Sequence, residues 1–109
     1  MVDWDSPWFA GWEGAGQRVQ ARWVQGATLH EALDAQGTSP VRFVAQSALP
    51  DGAAYEQFVY ETRTCPVRNG LHDFFNGLVW LQFPHTKRRL NQLQAQASAA
   101  DGVQAVRGP

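Results

Sequence analysis

The sequence predicts a mainly α fold with at most one or two short strands, and three observations carry that expectation. The segment Gly70–Pro84, GLHDFFNGLVWLQFP, repeats apolar residues at helical spacing. The segment that follows, HTKRRLNQLQAQASAAD, is built from strong helix formers. By contrast, only VRFVAQ at 41–46 alternates, weakly, as a strand would.

Taken in order, residues 1–16 hold Trp4, Trp8 and Trp12 among Gly, Pro and Asp, which reads as an irregular arm anchored by aromatic rings. The stretch GQRVQARWVQGATLHEALDAQG then offers two short helices. In the second, Thr28 is placed to cap, Leu29 and Leu33 are four apart, and Gly37 suits a stop. SALPDG is turn chemistry. In AAYEQFVYET, Tyr55, Phe58, Val59 and Thr62 share a helical face, and Cys65-Pro66 is expected to end that helix, because the residue before proline avoids helical dihedrals. The segment 70–100 is expected to be a central helix, kinked or broken at Pro84, with Leu90, Leu93 and Ala97 on one stripe. The whole of 1–109 reads as one domain. Because AVRGP follows a turn signal with no closing element, it is expected to be the N-terminal part of a longer one.

The composition, 44% hydrophobic with five Trp and six Phe, can bury a core and is not that of a disordered chain. A net charge of -1 gives no general pull toward nucleic acid or anionic membrane. The single Cys65 rules out an internal disulfide and a Cys-rich zinc site, which favours a reducing, cytoplasmic setting. The acidic, aromatic N-terminus is not a signal peptide, and no apolar run reaches the roughly 18–20 residues of a membrane span, so a soluble protein is expected.

A helical wheel places Leu71, Phe74, Phe75, Leu78, Val79 and Leu81 on one broad face of the central segment. His72, Asp73, Asn76 and Trp80 fall opposite, with Phe83 beside them and a notch at Gly77 where another element could approach. A helix apolar on both sides is normally buried on both sides, so the three polar groups are expected to be at least partly buried and to need partners. The main expectation is a structural or interaction module in which they form a buried network, with Asp73 capping a turn or pairing with Arg63 or Arg68. In that case the remainder of a longer chain would cover the second face. The alternative is an enzyme or small-ligand binder for an anionic substrate, with His72, Asp73 and Asn76 as the catalytic candidates.

No cofactor is expected. A His-Asp doublet is a metal-ligand pattern in some phosphohydrolases, but only His30 and His85 remain to complete a site and neither has ligand spacing, so no metal residues are assigned. Cys65, His72 and Asn76 supply the residue types of a thiol triad, yet no helix N-terminus precedes Cys65 to activate it. In PHTKRR, cationic side chains crowd a helix start against its dipole, which favours an anion there. Arg68, Lys87 and Arg88 are the candidates for that contact; one short basic cluster is thin support for nucleic acid.

From Arg42 onward the chain resembles the bacterial protein family of unknown function DUF3025. A YE pair precedes a run similar to P-T-R-D-N-L-H-D-F-F-N-A-L-V-W-L-x-F-P-R-x-K-x-x-L-N, and DWDSPWF fits the family's opening. The resemblance picks out Tyr55, Glu56, Pro66, Arg68, His72, Asp73, Asn76, Trp80, Phe83, Pro84, Lys87 and Asn91. Of these, Tyr55, Glu56, Trp80 and Asn91 are expected to belong to the structural network. The chain departs at Cys65, Val67, Asn69-Gly70 and His85. The resemblance implies a chain continuing past RGP and brings no activity with it.

Overall fold

The computed structural model describes residues 13–101. Among them the elements run α1 (Glu13–Val24), α2 (Leu29–Asp34), β1 (Arg42–Ala45), a 3-10 turn (Gln46–Ala48), α3 (Tyr55–Thr62), β2 (Thr64–Val67), α4 (Leu71–Gln82) and α5 (Pro84–Asp101). The fold is mainly α, with two short strands paired in parallel. The expected arm at 1–16 falls mostly outside the described residues, and its last part is corrected: Glu13 to Gly16 is the first turn of α1.

Local chemistry sets most boundaries. Thr28 caps α2 through a capping box, its hydroxyl accepting from Glu31 N–H at 3.3 Å while the Glu31 carboxylate accepts from Thr28 N–H at 3.0 Å. The Thr28 hydroxyl and amide together hold the Glu31 carboxyl below its ordinary range. Helix α3 ends at Thr62, earlier than the Cys65-Pro66 stop expected from sequence. Arg63 turns left-handed at φ 59, its N–H still bonds Val59 O at 2.9 Å, and the chain leaves directly into β2.

Proline inside β2 is the reason this strand escaped the sequence pattern, since a proline within an apolar run argues against a strand. The ladder explains why it is tolerated. Arg42 N–H donates to Arg63 O at 2.9 Å, with Arg42 opposite Thr64 and Val44 opposite Pro66. In a parallel pair alternate groups then point outward, and position 66 is one whose N–H the ladder does not use. Three other outward groups are met by side chains. Phe43 N–H donates to Asp34 Oδ1 at 3.0 Å, Thr64 N–H to Thr62 Oγ1 at 3.3 Å, and Pro66 O accepts from the Tyr55 hydroxyl at 3.0 Å.

The core gathers Val19 of α1, Leu29, Ala32 and Leu33 of α2, Val41, Phe43, Val59, Cys65, Val67, and Phe74, Leu78 and Trp80 of α4. Trp23 stacks on Phe74 with ring centroids 5.7 Å apart. Gly77 faces Leu33 so closely that a Cβ there would lie 2.5 Å from its Cδ1. The notch read from the sequence is thus filled by a buried leucine. Between α4 and α5 the chain breaks at Phe83, whose φ of -127 suits a residue before proline, and Pro84 opens α5 at its first position.

Gly77→Ala is expected to lower stability by about 1 kcal/mol, an overpacking cost of about 1–3 kcal/mol being partly offset by about 1 kcal/mol of helix propensity. In urea unfolding, Leu33→Ala combined with Gly77→Ala should lose less than the two single losses added, by about 1 kcal/mol. Simple additivity would show that the contact does not constrain α4.

Candidate functional site

The rotation of α4 about its axis differs from the sequence wheel, and everything at the site follows from it. Asp73, Phe74, Gly77, Leu78 and Trp80 are the buried positions. The inward face is therefore centred between the two expected faces. Leu71, assigned to the core, is 49% exposed, and Phe83 is 45% exposed. His72 is exposed and Asn76 half-buried, so the three polar candidates do not form one buried cluster. That expectation is corrected: a turn of 100° per residue lets Asp73 and Trp80 point inward while His72 points out. The second face is divided: Trp80 is 1% exposed and Asp73 3% exposed, whereas His72 and Phe83 lie at the surface.

Asp73 lies in the first turn of α4, where Gly70 offers no side-chain cap. Its Oδ2 accepts from Arg68 N–H at 2.6 Å. The carboxylate thus clamps the β2–α4 loop through backbone rather than through the guanidinium of Arg68 or Arg63. The buried charge is compensated by that N–H and by the positive end of the helix. Beside it, Asn69 Oδ1 accepts from Leu29 N–H at 3.2 Å and ties the same loop to the start of α2.

Asn91 is the second buried polar residue, at 2% exposure. Its Nδ2 donates to Glu56 O at 2.9 Å and to Glu56 Oε1 at 3.1 Å, binding α5 to α3. Tyr55, adjacent in sequence, turns the other way and joins α3 to β2 through Pro66 O and the buried thiol of Cys65, 3.2 Å from its hydroxyl. Lys87 places its ammonium 5.7 Å from the centre of the Trp80 ring, covering the indole from outside. Tyr55, Glu56, Asn91, Trp80 and Lys87 therefore sit at helix junctions. Arg88 is half-buried on α5 and away from the Asp73 loop in sequence, and Arg68 is at that loop.

A shallow depression of about 220 Å³ is lined by Arg68, Gly70, His72 and Asp73. It is smaller than the roughly 300–1,000 Å³ of usual ligand sites, and the Asp73 carboxylate in its wall opposes an anion. A larger hollow of about 460 Å³, which the sequence did not suggest, lies between α2 and β1, with His30, Glu31, Asp34 and Arg42 in its wall. Asp34 is already engaged there, holding Phe43 N–H and pairing with Arg42 at 3.4 Å. Among the described residues no group of three or more His, Cys, Asp or Glu is placed to hold a metal ion. Nor is any described helix long and apolar enough to cross a membrane.

Helix α5 carries the other departure. It meets α3 through the buried Asn91, and Ala95 one turn further on is buried too, whereas Leu90 and Leu93 are 49% and 44% exposed and Ala97 is exposed. The apolar stripe read from the sequence is real but faces outward, about two fifths of a turn from the packed side.

What emerges is a small helical domain whose buried polar residues fasten loops and helices to one another. Residues 41–109 match the family described as Protein of unknown function (DUF3025), and the chain belongs to that family. No curated protein and no solved structure matches the chain.

Asp73→Ala should cost about 1–3 kcal/mol, because it leaves the half-buried Arg68 N–H without its acceptor, while His72→Ala should stay within about 0.5 kcal/mol. Asp73→Asn, which keeps an acceptor oxygen, should fall between them. Equal losses for Asp73→Ala and His72→Ala in thermal unfolding would contradict the separate placement of the two side chains.

Proposed function

We propose that this chain is an interaction module, and that its working surface is the outer face of α5. The observation that carries this reading is the exposure of Leu90 and Leu93 on one side of α5, away from the buried Asn91 and Ala95. Apolar residues scattered singly on a surface need no explanation, but two leucines three apart, in line with Thr86 and Ala97, follow a recurrent docking pattern. The polar candidates support the same reading, since Asp73 and Asn91 are engaged with backbone groups and Glu56. Such engagement suits a scaffold better than a catalytic centre, whose groups must be free to meet a substrate.

A second reading is favoured by the depression at Arg68 and His72: capture of a small anion, with Arg68 as the charged contact. A photo-crosslinking residue at position 90 or 93 of the full-length protein, compared with one at exposed Gln17, separates the two. Crosslinks to protein at 90 and 93 but not at 17 are expected. Equal crosslinking at all three, together with a saturable phosphate titration at the Arg68 and His72 resonances, would replace the first reading with the second.

A further inference from the structure

The outer stripe of α5 has a regular spacing. Thr86, Leu90, Leu93 and Ala97 follow one another by four, three and four residues. That is the spacing of a helix–helix seam, and the four positions lie within an arc of about 60°. Leu90 and Leu93 are each close to half exposed, and Thr86 and Ala97 are exposed. The side chains flanking such a seam are Lys87 and Arg89 in its first half and Gln94 and Gln96 in its second.

Charge decides what fits this seam. His85, Lys87, Arg88 and Arg89 crowd the start of α5, and the helix holds no acid before Asp101. Among the described residues no carboxylate pairs with Lys87, Arg88 or Arg89. Lys87 lies over Trp80, and Arg89 reaches only Gln92 Oε1, at 2.8 Å. Cations at a helix N-terminus oppose its dipole, so this end of α5 is left electrostatically unfavourable until carboxylates approach it.

Resting on the reading that α5 is a docking surface, we infer that its occupant is an acidic amphipathic helix of another protein, with apolar residues in the seam and Glu or Asp opposite Lys87 and Arg89. A second copy of this chain fits less well, because its own seam is flanked by Lys, Arg and Gln and brings no carboxylate. A lipid surface also fits less well. A helix lying on a bilayer needs a broad apolar face, whereas this stripe is narrow and polar on both sides.

The test uses the full chain and two synthetic two-heptad helices with Leu at the seam positions, one flanked by Glu and the other by Lys. Binding is read by fluorescence anisotropy and by amide shifts at residues 86–97. The Glu helix should bind at least about tenfold more tightly than the Lys helix at low salt, and that ratio should collapse at roughly 0.5 M salt. Arg89→Glu, on the exposed side, should abolish the preference, and Leu90→Gln should weaken both helices while leaving the fold intact. Equal binding of the two helices would overturn the acidic partner while keeping the docking surface. So would concentration-dependent dimerisation abolished by Leu90→Gln, which would make the occupant a second copy. Binding only to vesicles of equal phosphatidylglycerol and phosphatidylcholine would overturn the protein partner altogether. No response of residues 86–97 to either helix or to vesicles, and no dimer, would remove the docking surface and with it this inference.

Discussion

The hydrogen bond from Arg68 N–H to the Asp73 carboxylate is the constraint on which the rest of α4 depends. A carboxylate is costly to bury, and this one is buried because a loop amide and a helix N-terminus receive it. With Asp73 turned inward, the phase of the helix is fixed. Gly77 then comes against Leu33, and Trp80 passes beneath Lys87. His72 turns to solvent on the same account. One polar contact at the first turn thus accompanies a rotation that centres the core between the two apolar faces, burying Phe74 and Leu78 of one and Trp80 of the other.

A two-stranded parallel sheet is a small platform with two edges, and bare edges invite pairing with other chains. Here the outward N–H groups of Phe43 and Thr64 are engaged by Asp34 and Thr62, Pro66 has no N–H to offer, and its carbonyl is held by Tyr55. The same α3 that bridges β1 and β2 is fastened to α5 by Asn91. Those contacts occupy ladder groups that another strand would use. On α5 the exposed Leu90 and Leu93 lie away from the buried Asn91 that holds α3.

Much of the fold was legible in the sequence. Thr28 announced the start of α2, Pro84 the break between α4 and α5, and the spacing of the apolar residues the helices themselves. Strand β2 was hidden because its proline argues against a strand unless the ladder is known. The left-handed turn at Arg63 was hidden because nothing but the demand of the following strand puts a non-glycine residue there. For the candidate site, the helical wheel marked His72, Asp73 and Asn76 together as polar groups needing partners, and the family resemblance added Tyr55, Glu56, Trp80 and Asn91 as a network; of the first three only Asp73 is buried. Neighbours on a wheel differ by 100° steps, and a small rotation of the whole helix moves one of them from core to solvent.

What the sequence determined by itself was local: which segments coil, where they start, and that the apolar supply exceeds what one face of each helix requires. Those properties follow from propensity, capping and periodicity, which act within a few residues. Only the tertiary structure decided which apolar face is core and which is left outside. For α4 that choice turns on Arg68 and Leu33, and for α5 on Glu56. The first of these lies on a neighbouring loop and the other two on other helices, so the geometry that settles the choice exists only once the chain has closed on itself.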